Sequence, residues 1–159
     1  MKSFVNVYSK VCFLIHHDYR ILLNNKPRPK VISLFTCGMG MDIGFEKSGF
    51  DTVYTNDIAR FACDTIKKNK DGVICDHGDI ANIPSSEILK KCNLKKGEID
   101  VVIGGPPCQS FSTAGKRKGF DDKRGIALLE FIRIIRDVNP KFFVFENVPG
   151  LKSMSKKHI

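Results

Sequence analysis

The stretch DVVIGGPPCQ, residues Asp100–Gln109, joins three β-branched residues to two glycines, two prolines and a cysteine. Val101–Ile103 predicts a buried parallel strand, because strands covered on both faces are continuous apolar runs. The glycines and prolines end that strand and leave Cys108 just past its carboxyl end. Ligands of open α/β sheets bind at this edge, so Cys108 is a candidate nucleophile. The polar run from Gln109 to Gly125 could fold over such a site as a lid.

A second interpretation of Cys108 is purely structural. Free cysteines are among the most buried residues and usually behave as small apolar side chains. The neighbours of Cys108 favour a site instead, because two prolines cannot continue a strand and Gln109 and Ser110 are polar.

Upstream, Val31–Phe35 predicts a first strand, followed by the turn Thr36-Cys37-Gly38-Met39-Gly40 and a helix from Asp42 to Ser48. A strand, a glycine-containing turn and a helix are typical of the nucleotide-binding opening of Rossmann-like folds. Small residues in such a turn let a ligand approach the backbone. This signal alone is weak.

Thr52–Thr55 predicts a second strand, which ends at Asn56-Asp57-Ile58 before a helix over Ala59–Asn69. An acid at this position of a Rossmann-like site accepts hydrogen bonds from the ribose hydroxyls. The alternative is that Asp57 is an exposed acid that caps the next helix. Val73–Cys75 predicts a short third strand.

Downstream, Ile126–Asp137 predicts an amphipathic helix with Leu128, Leu129, Ile132 and Ile135 on its inner face. The segment Lys141–Val148 then predicts another buried strand, with Glu146 at its carboxyl edge. A carboxylate after so apolar a run is unusual, and the apolar flank could desolvate it.

The composition indicates one basic globular domain. The chain has 159 residues, 42% apolar content and a formal net charge of +9, which favours a polyanionic partner. The six cysteines lie at least a dozen residues apart without a zinc or disulfide pattern, so reduced thiols in a cytoplasmic protein are expected. No apolar run reaches the length of a membrane span. Residues 1–30 are interpreted as a basic N-terminal extension.

Several segments together resemble the DNA cytosine-5 methyltransferase family. Pro106-Pro107-Cys108-Gln109 is similar to its catalytic motif, Phe145-Glu146-Asn147-Val148 to its Glu-Asn-Val motif, and SLFTCGMGMDIGFEKSGF (residues 33–50) to its cofactor motif. The family usually has glycine where Cys37 and Met39 stand, and leucine where Ala127 stands. The resemblance runs from Val31 to Leu151 with the motifs in family order.

The resemblance implies an α/β, Rossmann-like methyltransferase fold that uses S-adenosylmethionine and acts on double-stranded DNA, in a restriction-modification system. It implies Cys108 as the nucleophile and Glu146 as the residue that contacts the target cytosine. The implied cofactor-binding residues are Phe35, Gly38, Gly40, Asp57, Ile58, Asp79, Ile80 and Pro106, with Asp57 at the ribose and Asp79 at the adenine amino group. The implied DNA-binding residues are Gln109, Ser112, Lys116, Arg117, Lys118 and Arg124. For the charged loop alone, a solvated surface segment is the alternative.

Members of this family continue past the Glu-Asn-Val motif with a target-recognition domain and a closing helix. Residues 31–159 are therefore interpreted as a partial catalytic domain, incomplete at the C-terminus, and a second polypeptide with the remaining motifs is an expected partner. Two other classes stay open. A Rossmann dehydrogenase would leave Pro-Pro-Cys-Gln and Glu-Asn-Val unexplained, whereas an inactive remnant that still binds DNA or cofactor would keep them.

Overall fold

A computed structural model of the chain describes residues 27–107 and 123–147. These residues form five strands: β1 (Lys30–Leu34), β2 (Asp51–Asp57), β3 (Ile74–His77), β4 (Val101–Gly104) and β5 (Phe142–Phe145). Four α-helices connect them: α1 (Gly40–Lys47), α2 (Arg60–Asn69), α3 (Ser85–Lys91) and α4 (Lys123–Val138), and a 3-10 helix covers Ile80–Asn82. The predicted strands and helices are confirmed, with ends that differ by at most three residues.

All five strands are parallel and lie in the order β3-β2-β1-β4-β5. The chain fills one half of the sheet from β1 to β3 and then crosses back to place β4 on the other side of β1. The strand order therefore reverses between β1 and β4, and ligands of open α/β sheets bind in the crevice at such a switch point. The Rossmann-like α/β class predicted from sequence is confirmed.

The core lies on both faces of the sheet because successive strand residues point to opposite sides. Ile32, Leu34 and Val102 face one side, together with Phe131, Ile134 and Val138 of α4 and Ile88 of α3. Val31, Val101 and Ile103 face the other side, where Met41, Phe45 and Phe50 pack against them. Burial on both faces explains why β1 and β4 are continuous apolar runs.

Helix α4 corrects two sequence expectations. Leu129 is 49% exposed and Ile132 is 52% exposed, so neither lies on the buried face. That face is formed by Phe131, Ile134 and Val138, at helical spacing. The prediction failed because apolar residues occur on more than one side of this helix, which leaves the phase of the pattern ambiguous. The helix also begins at Lys123, so Lys123–Gly125 are helical rather than part of a polar loop.

The starts of β1, β4 and β5 are held together by Asp100. Its carboxylate accepts hydrogen bonds from the Lys30 backbone amide at 2.7 Å and from Lys141 Nζ at 2.6 Å. These bonds fix the amino ends of three adjacent strands, and the strands then run in register toward the opposite edge. Within the described ranges, no helix is long and apolar enough to cross a membrane.

Candidate functional site

The predicted site residues converge at the carboxyl edge of the sheet. The turns after β1, β2 and β3 hold Phe35 to Gly40, Asp57 with Ile58, and Asp79 with Ile80. The turn after β4 holds Gly105 and Pro106, and Glu146 follows β5. Parallel strands place all these turns at one edge, and the switch point between β1 and β4 lies among them.

The turn after β1 has an unusual backbone. Phe35, Cys37 and Met39 all have positive φ angles, of 56°, 50° and 63°. This left-handed conformation costs about 1–2 kcal/mol for a residue with a Cβ atom, and glycine avoids that cost. Cys37 and Met39 are the positions where the family usually has glycine, so the backbone explains that preference. A Cβ atom added to Gly38 or Gly40 would meet open space within 4 Å.

Asp57 connects the first two turns. Its Oδ2 accepts a hydrogen bond from the Cys37 amide at 2.8 Å, and its Oδ1 accepts one from the Ala59 amide at 2.8 Å. The second bond closes a tight turn just before α2, whose N-cap is Ala59 without a side-chain cap hydrogen bond, so Asp57 does not cap this helix as the alternative expected. Each carboxylate oxygen can accept more than one hydrogen bond, so capacity for ribose hydroxyls remains.

Two exposed apolar side chains lie near Asp57. Ile58 is 66% exposed and Phe61, at the start of α2, is 71% exposed. The Ile58 carbonyl oxygen lies 3.1 Å from Nε2 of His77, at the end of β3. Apolar side chains beside a carboxylate suit a nucleoside, which has an apolar ring and polar hydroxyls. Sequence reasoning missed Phe61 and His77, and the position of His77 beside Ile58 depends on the β2–β3 pairing.

The turn after β3 is short and well fixed. Asp79 is exposed, and its Oδ1 accepts a hydrogen bond from the Ala81 amide at 3.0 Å, which caps the 3-10 helix. The Ile80 side chain is only 2% exposed and belongs to the core. Packing of the Ile80 side chain in the core therefore fixes the position of this turn. Contact of that side chain with a ligand stays a prediction.

Glu146 lies beside the turn that precedes Cys108. A Cβ atom on Gly105 would be 3.0 Å from Glu146 Oε2, so a larger residue there would displace the carboxylate by a few tenths of an ångström. Gly104 is more restricted, because a Cβ atom there would be 2.8 Å from the Leu34 backbone carbonyl oxygen and 2.8 Å from the Phe131 ring. The Glu146 amide donates to the Gly104 carbonyl at 3.0 Å. Glu146 is exposed, which corrects the expectation that its apolar flank desolvates it.

A buried carboxylate lies behind the first turn. Asp42 of α1 is 1% exposed and accepts a hydrogen bond from Ser33 Oγ at 3.0 Å, while its other oxygen, Oδ1, has no hydrogen-bond partner. Burial raises the pKa of Asp42 to about 6, and the hydrogen bond from Ser33 opposes that rise. Sequence reasoning gave Asp42 no role.

Part of the predicted site lies outside the described residues. Cys108, Gln109, Ser112, Lys116, Arg117 and Lys118 all fall in the segment 108–122. Arg124 lies in the first turn of α4. The roles of these residues stay predictions.

The residues present fit S-adenosylmethionine by their chemistry. Asp57 ends β2 and Asp79 follows the neighbouring strand β3 by two residues, so both carboxylates lie at the carboxyl edge of the sheet, and the exposed side chain of Ile58 follows the first of them. Such a set matches ribose hydroxyls, a purine amino group and an apolar ring face. The turn from Thr36 to Gly40, with open space at both glycines, can admit the rest of the molecule.

Comparisons with known proteins also find methyltransferases. M.AquIA of Picosynechococcus, a Type II methyltransferase, is 48% identical over 127 residues, which are 80% of this chain and 51% of that protein. M.FnuDI of Fusobacterium nucleatum, another Type II methyltransferase, is 41% identical over 78% of this chain and 33% of its own length. The chain thus spans about half of the first relative and a third of the second.

A solved structure agrees with the fold. An Escherichia coli prophage protein assigned as a DNA modification methyltransferase matches with a TM-score of 0.67 and 30% identity, over 81% of this chain and 36% of that one. The profile of the family described as C-5 cytosine-specific DNA methylase matches residues 29–159. With the motif order and the sheet topology, this match shows that the chain belongs to the C-5 cytosine-specific DNA methylase family.

Proposed function

We propose that this chain carries the nucleophile and most of the cofactor site of a DNA cytosine-5 methyltransferase that serves a restriction-modification system. The observation that carries the proposal is the position of Glu146 beside Gly105. Because β4 and β5 are paired neighbours, the Pro-Pro-Cys-Gln and Glu-Asn-Val motifs leave the sheet side by side. Cys108 follows Gly105 by only three residues, so we expect its thiol close to the Glu146 carboxylate.

The turns of the carboxyl edge would hold S-adenosylmethionine. Asp57 would accept hydrogen bonds from the ribose hydroxyls, and Asp79 would accept one from the adenine amino group. Ile58 and Pro106 would contact the rings. Phe35, Gly38, Gly40 and Ile80 complete the proposed set. When bound there, S-adenosylmethionine supplies an electrophilic methyl group.

The chemistry at the base follows from Cys108 and Glu146. Cytosine C5 is a poor nucleophile and lies inside the base stack, so the base must be flipped and activated. The Cys108 thiolate attacks C6 and forms a sulfur–carbon bond, while the electrons of the C5–C6 double bond shift toward C5. Glu146 hydrogen-bonds N3 and the exocyclic amino group and favours protonation of N3. Once C5 is methylated, its proton leaves to a base, the double bond re-forms, and Cys108 departs as thiolate.

The charge distribution supports contact with DNA through particular segments. Residues 27–107 and 123–147 contain 16 basic and 14 acidic side chains, whereas the rest of the chain contains 10 basic and 3 acidic ones. Most of the net positive charge therefore lies outside these two ranges. Phosphate contacts of Lys116, Arg117, Lys118 and Arg124 would position the DNA, and Gln109 and Ser112 would lie near the flipped base.

We further propose a second polypeptide that supplies the remainder of the catalytic unit. The chain spans 51% and 33% of the two relatives described above, and the proposed partner would correspond to the rest of their length. Exposed apolar side chains, Ile126, Leu129 and Ile132 on α4 and Phe142 on the edge strand β5, would be covered by such a partner.

Methyl transfer with and without a complementing polypeptide tests this proposal. The chain would be expressed alone or with the C-terminal remainder of M.FnuDI, and labelled methyl from S-adenosylmethionine would be followed into 5-methylcytosine. We expect transfer and higher solubility only for the pair, because offsetting the few kcal/mol of base unstacking needs contacts on both sides of the DNA.

The Cys108→Ser variant of the pair is the matched control and should be inactive. Comparable transfer by the chain alone would contradict the need for a partner. Cofactor and DNA binding without any transfer by the pair would favour the alternative of a non-catalytic remnant.

A further inference from the structure

The turn after β3 is held by one side chain of α4. Arg133 donates from one terminal nitrogen to the carbonyl oxygens of Ile80 at 2.9 Å and Ile83 at 3.1 Å. Its other terminal nitrogen donates to Ser85 Oγ at 2.8 Å. The guanidinium group therefore joins both ends of the 3-10 helix to the start of α3. These partners are 48 to 53 residues away in sequence.

Arg133 is itself fixed in place. Its Nε donates to Glu130 Oε2 at 2.5 Å on the same helix. Ser85 Oγ in turn donates to Asp137 Oδ2 at 2.9 Å, and this bond is the main reason that the pKa of Asp137 lies below its usual value. The guanidinium group thus has little conformational freedom, and its hydrogen bonds restrict the turn in the same way.

Arginine is chemically suited to this position. Its planar group presents five N–H donors in a fixed fork and stays charged at all relevant pH values. A lysine has a single nitrogen on a flexible stem, so it cannot reach two carbonyl oxygens and a hydroxyl in the same geometry. A conservative change from Arg to Lys would therefore release part of the turn.

The turn held by Arg133 begins at Asp79. The exposed Asp79 carboxylate caps this 3-10 helix through the Ala81 amide, so its position follows the position of the turn. We propose that Arg133 is a positioning residue that sets the carboxylate of Asp79 against the purine amino group of the cofactor. This inference rests on the proposed function, in which Asp79 contacts the adenine. A correctly placed carboxylate selects a 6-amino purine and rejects a 6-oxo purine, which offers a carbonyl oxygen instead.

Base discrimination by the Arg133→Lys variant tests the proposal. Calorimetry would compare S-adenosylhomocysteine with S-inosylhomocysteine, which differ at position 6 of the purine. We expect the unchanged chain to prefer the adenosyl compound by at least about tenfold, the value of one charge-assisted hydrogen bond. Arg133→Lys should reduce that preference to about threefold or less and leave the affinity for the inosyl compound nearly unchanged, because only the amino-group contact is lost.

Two variants serve as controls. Arg136→Lys changes an exposed arginine of the same helix that bonds Asp137, and should keep the full preference. Ser85→Ala removes one partner of Arg133 but leaves both carbonyl contacts, so it should also keep the preference. Hydrogen exchange gives a second readout, since the amides of Ala81, Asn82 and Ile83 should exchange faster in Arg133→Lys even without ligand.

The outcomes separate this inference from the proposed function. If the unchanged chain binds neither compound, the cofactor assignment fails and this inference fails with it. If the unchanged chain discriminates and Arg133→Lys keeps the same ratio and exchange rates, only the positioning role is wrong. Should Arg133→Lys not fold, Arg133→Gln decides instead, because its amide cannot reach both carbonyl oxygens: we expect a lower ratio and faster exchange in the turn, and unchanged values would overturn the proposal.

Discussion

At the scale of single residues, the candidate site contains unfavourable backbone angles and an unfavourably buried carboxylate, which the rest of the fold must offset in free energy. Cys37 and Met39 hold left-handed backbone angles without being glycine. Asp42 is a buried carboxylate with one oxygen that lacks a hydrogen-bond partner. Both features lie in or behind the turn proposed to bind the cofactor. Unfavourable backbone and burial terms concentrate at functional sites in many proteins, and their position here agrees with the proposed site.

Asp42 gives a prediction for stability against pH. Its pKa is raised in the folded state to about 6, so the folded protein binds a proton more readily than the unfolded chain. The contribution of Asp42 to the free energy of unfolding is therefore most favourable at low pH, and it becomes less favourable as the pH rises from about 4 to 6. Asp42→Asn removes this component. The stability of the variant relative to the unchanged chain should rise by roughly 2–3 kcal/mol between pH 4 and pH 8.

Urea unfolding at several pH values measures this difference. At any one pH, the difference in free energy of unfolding between the two proteins also includes the cost of burying an amide at position 42. Only the change of this difference with pH is therefore informative. Asp64→Asn, which alters an exposed carboxylate on α2, is the control and should follow the unchanged chain. Parallel pH profiles for Asp42→Asn and the unchanged chain would contradict the account.

At the scale of structural elements, the site is built by links between turns that are distant in sequence. Asp57 joins the turn after β1 to the start of α2, and Arg133 joins α4 to the turn after β3. Each link brings a carboxylate into position at the carboxyl edge of the sheet. The strands provide the scaffold, and these side chains fix the turns.

Asp57→Ala should weaken the binding of S-adenosylhomocysteine by roughly 1.5–3 kcal/mol, the scale of charge-assisted hydrogen bonds. A 2′-deoxy analogue separates the ribose contact from support of the turn. The unchanged chain should prefer the ribose compound, and Asp57→Ala should not, because the acceptor of that hydroxyl is gone. If calorimetry found the same preference in both proteins, Asp57 would only support the turns around Cys37 and Ala59.

The elements themselves were largely predictable from sequence. β1 and β4 could be predicted from sequence because a parallel sheet buries both faces of these strands, which requires apolar residues at successive positions. These residues are Val31, Ile32, Val101, Val102 and Ile103. The buried face of α4 was not predictable, because its apolar residues fit more than one phase. The contacts of Arg133, and the contact of His77 with the Ile58 carbonyl oxygen, depend on how the chain folds back, and no local pattern indicates them.

At the scale of the whole molecule, the described part is a sheet with one open side. β5 is an edge strand, Phe142 on it is 71% exposed, and α4 presents Leu129 and Ile132 to solvent. The two relatives described above are two to three times longer than the segment they share with this chain. In the function proposed above, this chain carries the nucleophile and the cofactor turns, and the proposed partner covers the open side.

Trapping with DNA that contains 5-fluorocytosine tests the central claim, that Cys108 attacks the cytosine, most directly. Fluorine at C5 prevents the loss of the C5 proton, so the covalent adduct accumulates after methyl transfer. The chain, complemented as above and supplied with S-adenosylmethionine, should form an adduct that peptide mapping places on Cys108. The adduct should be absent in Cys108→Ser and should persist in Cys37→Ser. An adduct on Cys37 or Cys75, or methylation of ordinary DNA by Cys108→Ser, would contradict the account.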